Sequence, residues 1–173
     1  MEKFINPLEI LKQINLREDM VAADFGSGSG GWVIPLAKQL EDGRVYAIDI
    51  LEEPLSALRA KAKLNKILNI KTLLADVEKK VDLLDESCDL ILMTNLLFQI
   101  EDKKKVLKEA ERVLSPAGIL FIVDWKENPP IEIKETVSFE DIKKIGEKTG
   151  LTFEKEFDAG KYHKAMVFTK NKR

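Results

Sequence analysis

The sequence predicts an α/β fold: a doubly wound, seven-stranded, mostly parallel sheet with helices on both faces and an antiparallel hairpin at its C-terminal end. Three observations predict it. Short apolar runs alternate with amphipathic segments from Met20 to Asp124, the pattern of strand–helix–strand units whose parallel sheet is covered on both sides. The first run opens directly into a glycine-rich turn, Val21-Ala22-Ala23-Asp24-Phe25-Gly26-Ser27-Gly28-Ser29-Gly30-Gly31. The last two strand-like runs are joined by Asp158-Ala159-Gly160-Lys161, and a link of that kind containing glycine marks a hairpin.

In order, Asn6-Pro7-Leu8-Glu9 reads as a helix start. Asn6 stands at the N-cap, Pro7 at the first helical position, and Glu9 completes a capping-box-like pair; Ile5, Leu8 and Leu11 mark one face. Met20 to Phe25 is a buried strand and Trp32 to Leu40 a helix. Arg44 to Ile50 is the second strand, followed by a helix over Pro54 to Lys66 with Leu55, Leu58 and Ala62 at helical spacing. Ile70 to Ala75 and Asp89 to Thr94 are the third and fourth strands. The charged helix Asp102 to Leu114 gathers Val106, Leu107, Ala110, Val113 and Leu114 on one side, and Ile119 to Asp124 is the fifth strand. Ser138 caps a helix carrying Phe139, Ile142 and Ile145, which Gly150 stops. Leu151 to Phe157 and His163 to Thr169 form the hairpin.

A chain of 173 residues reads as one domain, large enough to bury roughly 70% of its unfolded surface. Lys and Arg number 28 against 30 Asp and Glu, a net charge of −2. That balance supplies no electrostatic attraction to nucleic acid or to a membrane surface. Cys88 is the only cysteine and His163 the only histidine. They preclude an intramolecular disulfide and a zinc site of cysteine and histidine type, and no metal is expected. No run reaches the ~20 apolar residues of a membrane span, and the N-terminus lacks an apolar leader; the chain reads as soluble and cytoplasmic.

The chemistry belongs at the carboxyl ends of the strands, where open α/β sheets bind ligands. Strand one runs into Asp24 and the glycines, strand two ends at Asp49, strand three at Asp76 and strand four at Thr94-Asn95. The glycines fit two spacings. Gly26, Gly28 and Gly31 match the G-x-G-x-x-G of dinucleotide sites, with Asp49 placed to accept from a ribose. Gly26, Gly28 and Gly30 match G-x-G-x-G. Charge separates the two: a pyrophosphate at this turn would face Asp24 at close range, whereas a positively charged ligand would be attracted to it.

These segments resemble the motifs of class I S-adenosylmethionine-dependent methyltransferases over nearly the whole chain. AADFGSGSG (22–30) resembles their first motif, VYAIDI (45–50) the second, LLADVE (73–78) the third, CDLILMTNLLFQI (88–100) the fourth and RVLSPAGILFIVDW (112–125) the fifth. The chain is most similar to the small single-domain branch that includes ubiquinone/menaquinone-biosynthesis and arsenite methyltransferases. The resemblance implies a Rossmann-like fold whose last strand is antiparallel. It divides residues 1–173 into an N-terminal helix and lead-in (1–19), a nucleotide-binding core (20–125) and a loop, helix and hairpin (126–173). It also implies that Gly26, Ser27, Gly28 and Gly30 let the backbone approach the methionine end of the donor, with Asp24 beneath that end. Asp49 accepts from the ribose hydroxyls, Ile50 packs on the adenine and Asp76 accepts its amino group. The Val77 amide meets a ring nitrogen, and Asn95 closes the site below the methyl. The product is S-adenosylhomocysteine. Where relatives read His-Glu, this chain has Phe98-Gln99, which implies a more apolar acceptor pocket. Asn128-Pro129-Pro130 resembles a motif of amino-methyltransferases but follows the wrong strand, and reads as a loop.

No residue is assigned as catalytic, because displacement at a sulfonium is governed by alignment. The expected acceptor is a small molecule, with a nucleic acid or protein acceptor left open. Two other readings remain: a binding or scaffolding protein without turnover, and an NAD(P)-dependent oxidoreductase. His163 is expected near the sheet edge in a solvated or structural role, and Cys88 as a small buried residue. Trp32, Phe98 and Trp125 are expected in packing, Lys103-Lys104-Lys105 on a solvated face, and Lys170 to Arg173 as a frayed tail.

Overall fold

A computed structural model describes residues 5–172, so the lead-in before Ile5 and Arg173 of the basic tail lie outside it. Seven strands form one sheet in the order β3-β2-β1-β4-β5-β7-β6. They are β1 (Val21–Phe25), β2 (Arg44–Asp49), β3 (Ile70–Leu74), β4 (Cys88–Thr94), β5 (Leu114–Trp125), β6 (Leu151–Asp158) and β7 (His163–Lys170). Every pairing from β3 to β5 is parallel; β7 inserts antiparallel between β5 and β6. The strand order reverses between β1 and β4, and a crevice opens there.

Strand residues explain the layering. In β4, Leu90 and Leu92 face one apolar cluster while Ile91 and Met93 face the other, all fully buried, as a period of two requires for a strand covered on both sides. The helices are α1 (Pro7–Leu11), α2 (Val33–Gln39), α3 (Glu52–Leu64), α4 (Lys103–Val113) and α5 (Phe139–Lys148). α2 and α3 pack on the Leu90 side through Leu36 and Leu58, and α4 and α5 on the Ile91 side through Val106, Leu107 and Ile142. Ser138 caps α5 by accepting the Asp141 N–H at 3.2 Å, and Asp102 caps α4 by accepting that of Lys105 at 3.1 Å.

Several local expectations change. α1 is only five residues long; Asn6 accepts the Leu8 N–H at 3.1 Å, but Glu9 pairs with Lys12 at 2.8 Å instead of closing a capping box. Leu8 is exposed, and Leu11 and Ile14 make the buried face. α3 starts at Glu52, two residues before the proline expected to open it, because Pro54 is tolerated within the first turn. β5 already begins at Leu114: it pairs with Cys88, bulges over Ser115–Gly118 with Ala117 at φ 62°, and resumes at Ile119 against Leu90.

Near the C-terminus, His163 begins β7, one strand in from the sheet edge and 4% exposed, which leaves the structural one of its two expected roles. One reading there is corrected. Lys170 is no frayed tail: its Nζ donates to the Glu111 and Leu114 carbonyls at 2.8 and 2.9 Å and pairs with Glu86 and Glu111. These contacts hold β7 to the C-terminal end of α4, where uncapped carbonyls attract a cation. Cys88 is buried as expected, which pushes its thiol up to about 11.

Candidate functional site

The carboxyl ends of β1, β2, β3 and β4 surround a cleft of about 520 Å3. Gly26, Ser27 and Gly28 form one wall, Asp49 and Ile50 the next, Asp76 and Val77 the third, and Asn95 the fourth. The structure thus brings together eight of the ten residues expected to bind the ligand. Asp24 and Gly30 stand behind the wall.

The turn after β1 is built on backbone contacts. The Gly26 and Ser27 N–H groups both donate to the Ile48 carbonyl, at 2.8 and 2.9 Å, which folds the turn back over β2. Asp49 then ties the two strand ends: Oδ2 accepts the Gly28 N–H at 2.8 Å and Oδ1 the Leu51 N–H at 3.0 Å. Gly28 and Gly30 have φ of 53° and 90°, where a side chain is strained. They differ in what they protect. A Cβ on Gly28 would meet nothing within 4 Å and would stand in the cleft; one on Gly30 would meet Leu58 Cδ1 at 2.3 Å, inside the packing of α3. Gly30→Ala is therefore expected to cost about 2–3 kcal/mol from overpacking and left-handed strain, a fall in Tm of roughly 5–10 °C for a domain of this size. Gly28→Ala keeps the core and should weaken ligand binding with a smaller Tm change. Parallel melts and titrations of the two variants separate the roles.

Asp24 is the unusual member. It is fully buried, both of its carboxylate oxygens lack a hydrogen-bond partner among the described residues, and it does not line the cleft. Burial, and secondarily the charge of Asp49, hold its carboxyl well above the usual carboxylate range. Burial thus favours the protonated form of the aspartate expected beneath the turn.

On the β3 side, Asp76 Oδ1 accepts the Glu78 N–H at 2.9 Å, and Lys79 lies 3.4 Å from its other oxygen. Glu78 in turn accepts the Asp102 N–H at 2.8 Å and fastens this loop to the start of α4. Ile50 is 62% exposed, an apolar face presented to the cleft mouth. Asn95 leaves β4 in the left-handed region with φ 49°, donates its N–H to Val123 at 2.8 Å, and accepts from Gln99 on its carbonyl at 3.0 Å. Phe98 and Gln99 belong to a short 3-10 turn, Leu97–Gln99.

Two residues in this region were not singled out for the site from the sequence. Asp124, next to last in β5, is fully buried, accepts the Leu97 and Trp125 N–H groups at 2.8 Å each, and so fixes the turn that follows β4. Burial outweighs those hydrogen bonds and pushes its carboxyl up to about 6. The rule that flagged Asp24, Asp49 and Asp76 as strand-end acids would have flagged it too. His163 meets Asn95 across 68 residues of sequence, Nε2 to Oδ1 at 2.8 Å; nothing local signals that pair.

The cleft is acidic throughout: its charged side chains are Asp49, Asp76 and Glu78. It can therefore seat a neutral or cationic ligand with ribose-like donors and opposes a diphosphate.

A methyltransferase-domain family model matches residues 23–122. Among curated relatives, a ubiquinone/menaquinone biosynthesis C-methyltransferase of Rickettsia peacockii is 35% identical over 149 residues, covering 80% of this chain and 58% of that protein. A demethylmenaquinone methyltransferase of Geobacillus stearothermophilus is 29% identical over 117 residues, 67% of this chain and 50% of its own length. The chain thus spans little more than half the length of these relatives. A solved SAM-dependent methyltransferase from Aquifex aeolicus is 29% identical with a TM-score of 0.87, covering 95% of this chain and 89% of that one. A [4+2]-cyclase, 11% identical with a TM-score of 0.85 over 96% of this chain and 81% of its own, shares the fold alone. Seven strands, mostly parallel with the antiparallel C-terminal hairpin, a glycine turn over an acidic cleft and a family match across the core agree: the chain belongs to the class I S-adenosylmethionine-dependent methyltransferase family.

Proposed function

We propose that the chain binds S-adenosylmethionine at the strand ends and transfers its methyl group to a small acceptor, leaving S-adenosylhomocysteine. The observation that carries this reading is the sign of the cleft, whose charged side chains are all acidic. A dinucleotide would bring two phosphates against Asp49, Asp76 and Glu78, whereas the methyl donor brings a sulfonium, an ammonium and a ribose. The residues fit that group: the open space beside Gly28 admits a ligand against bare backbone, and the cleft volume of about 520 Å3 lies in the range of single-ligand sites.

Within this reading Gly26, Ser27, Gly28 and Gly30 shape the turn beside the methionine end, with Asp24 beneath it. Asp49 accepts from the ribose hydroxyls, Ile50 covers the adenine, Asp76 and the Val77 amide meet its edge, and Asn95 stands below the methyl. The bound donor supplies a methyl group already activated on sulfur. The chain supplies alignment, worth roughly 7–11 kcal/mol in well-oriented reactions, against the ~10²–10⁴-fold that a general base adds. His163, held down at about 4 by burial and by the charge of Lys126, is neutral at neutral pH and a poor base. Acceptors that react without a strong base are the ones such a site serves.

The two curated relatives act, by their names, in menaquinone or ubiquinone biosynthesis, so reduced naphthoquinones are the first acceptors to try. A cytoplasmic location goes with the same reading; no described helix is long and apolar enough to cross a membrane. Calorimetry with S-adenosylmethionine, S-adenosylhomocysteine and NAD tests the donor. Binding of both sulfur nucleosides with silence toward NAD is expected, and tight NAD binding with silence toward them overturns the proposal. Methyl release is then screened over reduced quinones, thiols, arsenite, peptides and RNA. Donor binding with no release from any of them would favour a binding protein without turnover.

A further inference from the structure

A second cavity, of about 310 Å3, adjoins the donor cleft, and Trp32 and Asn95 belong to the walls of both. Its other walls include Ile5, Pro7, Ile131, Trp125 and His163, and among the described residues no charged side chain lines it. The rings of Trp125 and His163 lie with centroids 3.9 Å apart, and both residues are more than nine-tenths buried. One hydrogen bond joins the cavity to the donor side, the 2.8 Å contact of His163 Nε2 with Asn95 Oδ1. Because an amide oxygen only accepts, His163 donates here from Nε2–H. Asn95 needs such a hold: its backbone already sits in the left-handed region, and it stands at the boundary between the two spaces.

Resting on the methyl-transfer reading above, we propose that this second cavity is the acceptor site, that it takes a neutral ring-bearing molecule, and that His163 is the residue that positions Asn95 between donor and acceptor. Charge argues for the first part. A cationic or anionic acceptor would lose its hydration against uncharged walls with no counter-ion, a cost of several kcal/mol for an unpaired ion. Trp32, Trp125 and His163 bring three aromatic rings to the walls, and aromatic side chains pair favourably with a flat ring partner. A polar atom on that partner also has a donor to meet: the indole N–H of Trp125 is buried and without a hydrogen-bond partner among the described residues. Geometry argues for the second part. His163 reaches Asn95 from β7, a strand packed against β5, so the amide is fixed by the sheet itself and not by the loop it belongs to. The imidazole can keep this role at neutral pH because burial and the nearby Lys126, itself paired with Asp158 at 2.9 Å, keep it uncharged.

The chain's single histidine makes the test direct. Protein saturated with S-adenosylhomocysteine is titrated with 2-naphthol, 2-naphthoate and 2-naphthylmethylammonium, three probes of one ring size and different charge. The imidazole 1H–15N signals are read, which belong to His163 alone. Before any probe, the imidazole should show one neutral tautomer protonated at Nε2; a proton on Nδ1 overturns the positioning role. 2-Naphthol should bind and move the signals, and the two ions should bind at least about ten-fold more weakly. His163→Gln keeps an N–H for Asn95 and should hold 2-naphthol affinity within about three-fold, while His163→Phe keeps the ring and should lose about ten-fold. Affinity for S-adenosylhomocysteine should stay nearly constant in both. Equal losses in the two variants mean that shape, not the hydrogen bond, matters, and overturn the positioning role. Naphthol binding that leaves the histidine signals unmoved, no naphthol binding, or preference for an ion overturns the acceptor assignment while leaving the donor reading intact. Failure of S-adenosylhomocysteine itself to bind removes the donor reading and this one with it.

Discussion

Asp49→Ala is expected to weaken S-adenosylhomocysteine binding by about a hundred-fold or more. A carboxylate accepting two ribose hydroxyls makes two charge-assisted hydrogen bonds, each worth about 1.5–3 kcal/mol, and about 3 kcal/mol corresponds to a hundred-fold in affinity. The loss is not confined to ligand contacts. Asp49 already accepts the Gly28 and Leu51 N–H groups at 2.8 and 3.0 Å, so alanine also releases the glycine turn from the end of β2. Two further consequences separate the effects. The ligand-free variant should melt a few degrees lower, and Asp49→Asn, which keeps one acceptor oxygen, should fall between wild type and alanine on both measures. Calorimetry and thermal melts on the three proteins check this. An alanine variant with a lowered Tm and undiminished ligand affinity would show that Asp49 serves only the turn.

Asp24→Asn should act in opposite directions on stability and on binding. Burial raises the folded carboxyl above its ordinary value, so the folded chain holds a proton that the unfolded chain gives up. A raised acid costs stability as pH climbs from the ordinary carboxylate value toward the folded one. The cost is in full force above the folded value. Asparagine carries no such proton, so the ligand-free variant is expected to melt higher than wild type at pH 8. Each kcal/mol gained moves Tm by about 2–4 °C in a chain of this size. The difference should shrink as the pH is lowered toward the unfolded value. On the binding side, the proposed placement of the donor's ammonium above Asp24 would favour the ionised carboxylate. Wild-type binding then releases a proton, visible as a calorimetric enthalpy that depends on the buffer, and the asparagine variant binds more weakly with no buffer dependence. A variant that melts like wild type at every pH would show that Asp24 is ionised in the empty protein.

Most of the sheet was legible in the chain because its signals are local. Apolar runs such as 90–93 can be buried on both faces only in a covered parallel sheet, and Asp102 and Ser138 cap helices from within three residues of the N–H they accept. Legibility failed where a partner came from elsewhere. Glu9 had a capping role in prospect until Lys12 claimed its carboxylate. Lys170 read as part of a basic tail because its two carbonyl partners lie 56 and 59 residues away. His163 read as near the edge with a solvated role still open, because the hairpin could not say that its second strand, not its first, docks on β5 and buries it. Of the site, the strand-end acids and the glycine turn were predicted from spacing. Asp124 obeyed the same rule without being singled out, and the His163–Asn95 contact had no sequence signal at all.

By itself, the sequence determined the alternation of strands and helices, the positions of the strand ends and the bare turn after Asp24, because periodicity and steric freedom belong to neighbouring residues. Tertiary structure alone decided two things. It decided the surroundings of Asp24, since folding removes the water that favours an ionised carboxyl and supplies no hydrogen-bond partner among the described residues. It also decided which side of each glycine is open: Gly28 and Gly30 are identical in sequence terms, yet one faces the cleft and the other Leu58. The contrast between a chain that places an acid beside the turn and a fold that holds that acid above the usual carboxylate range follows from desolvation, a property of the packed interior and not of any short stretch of residues.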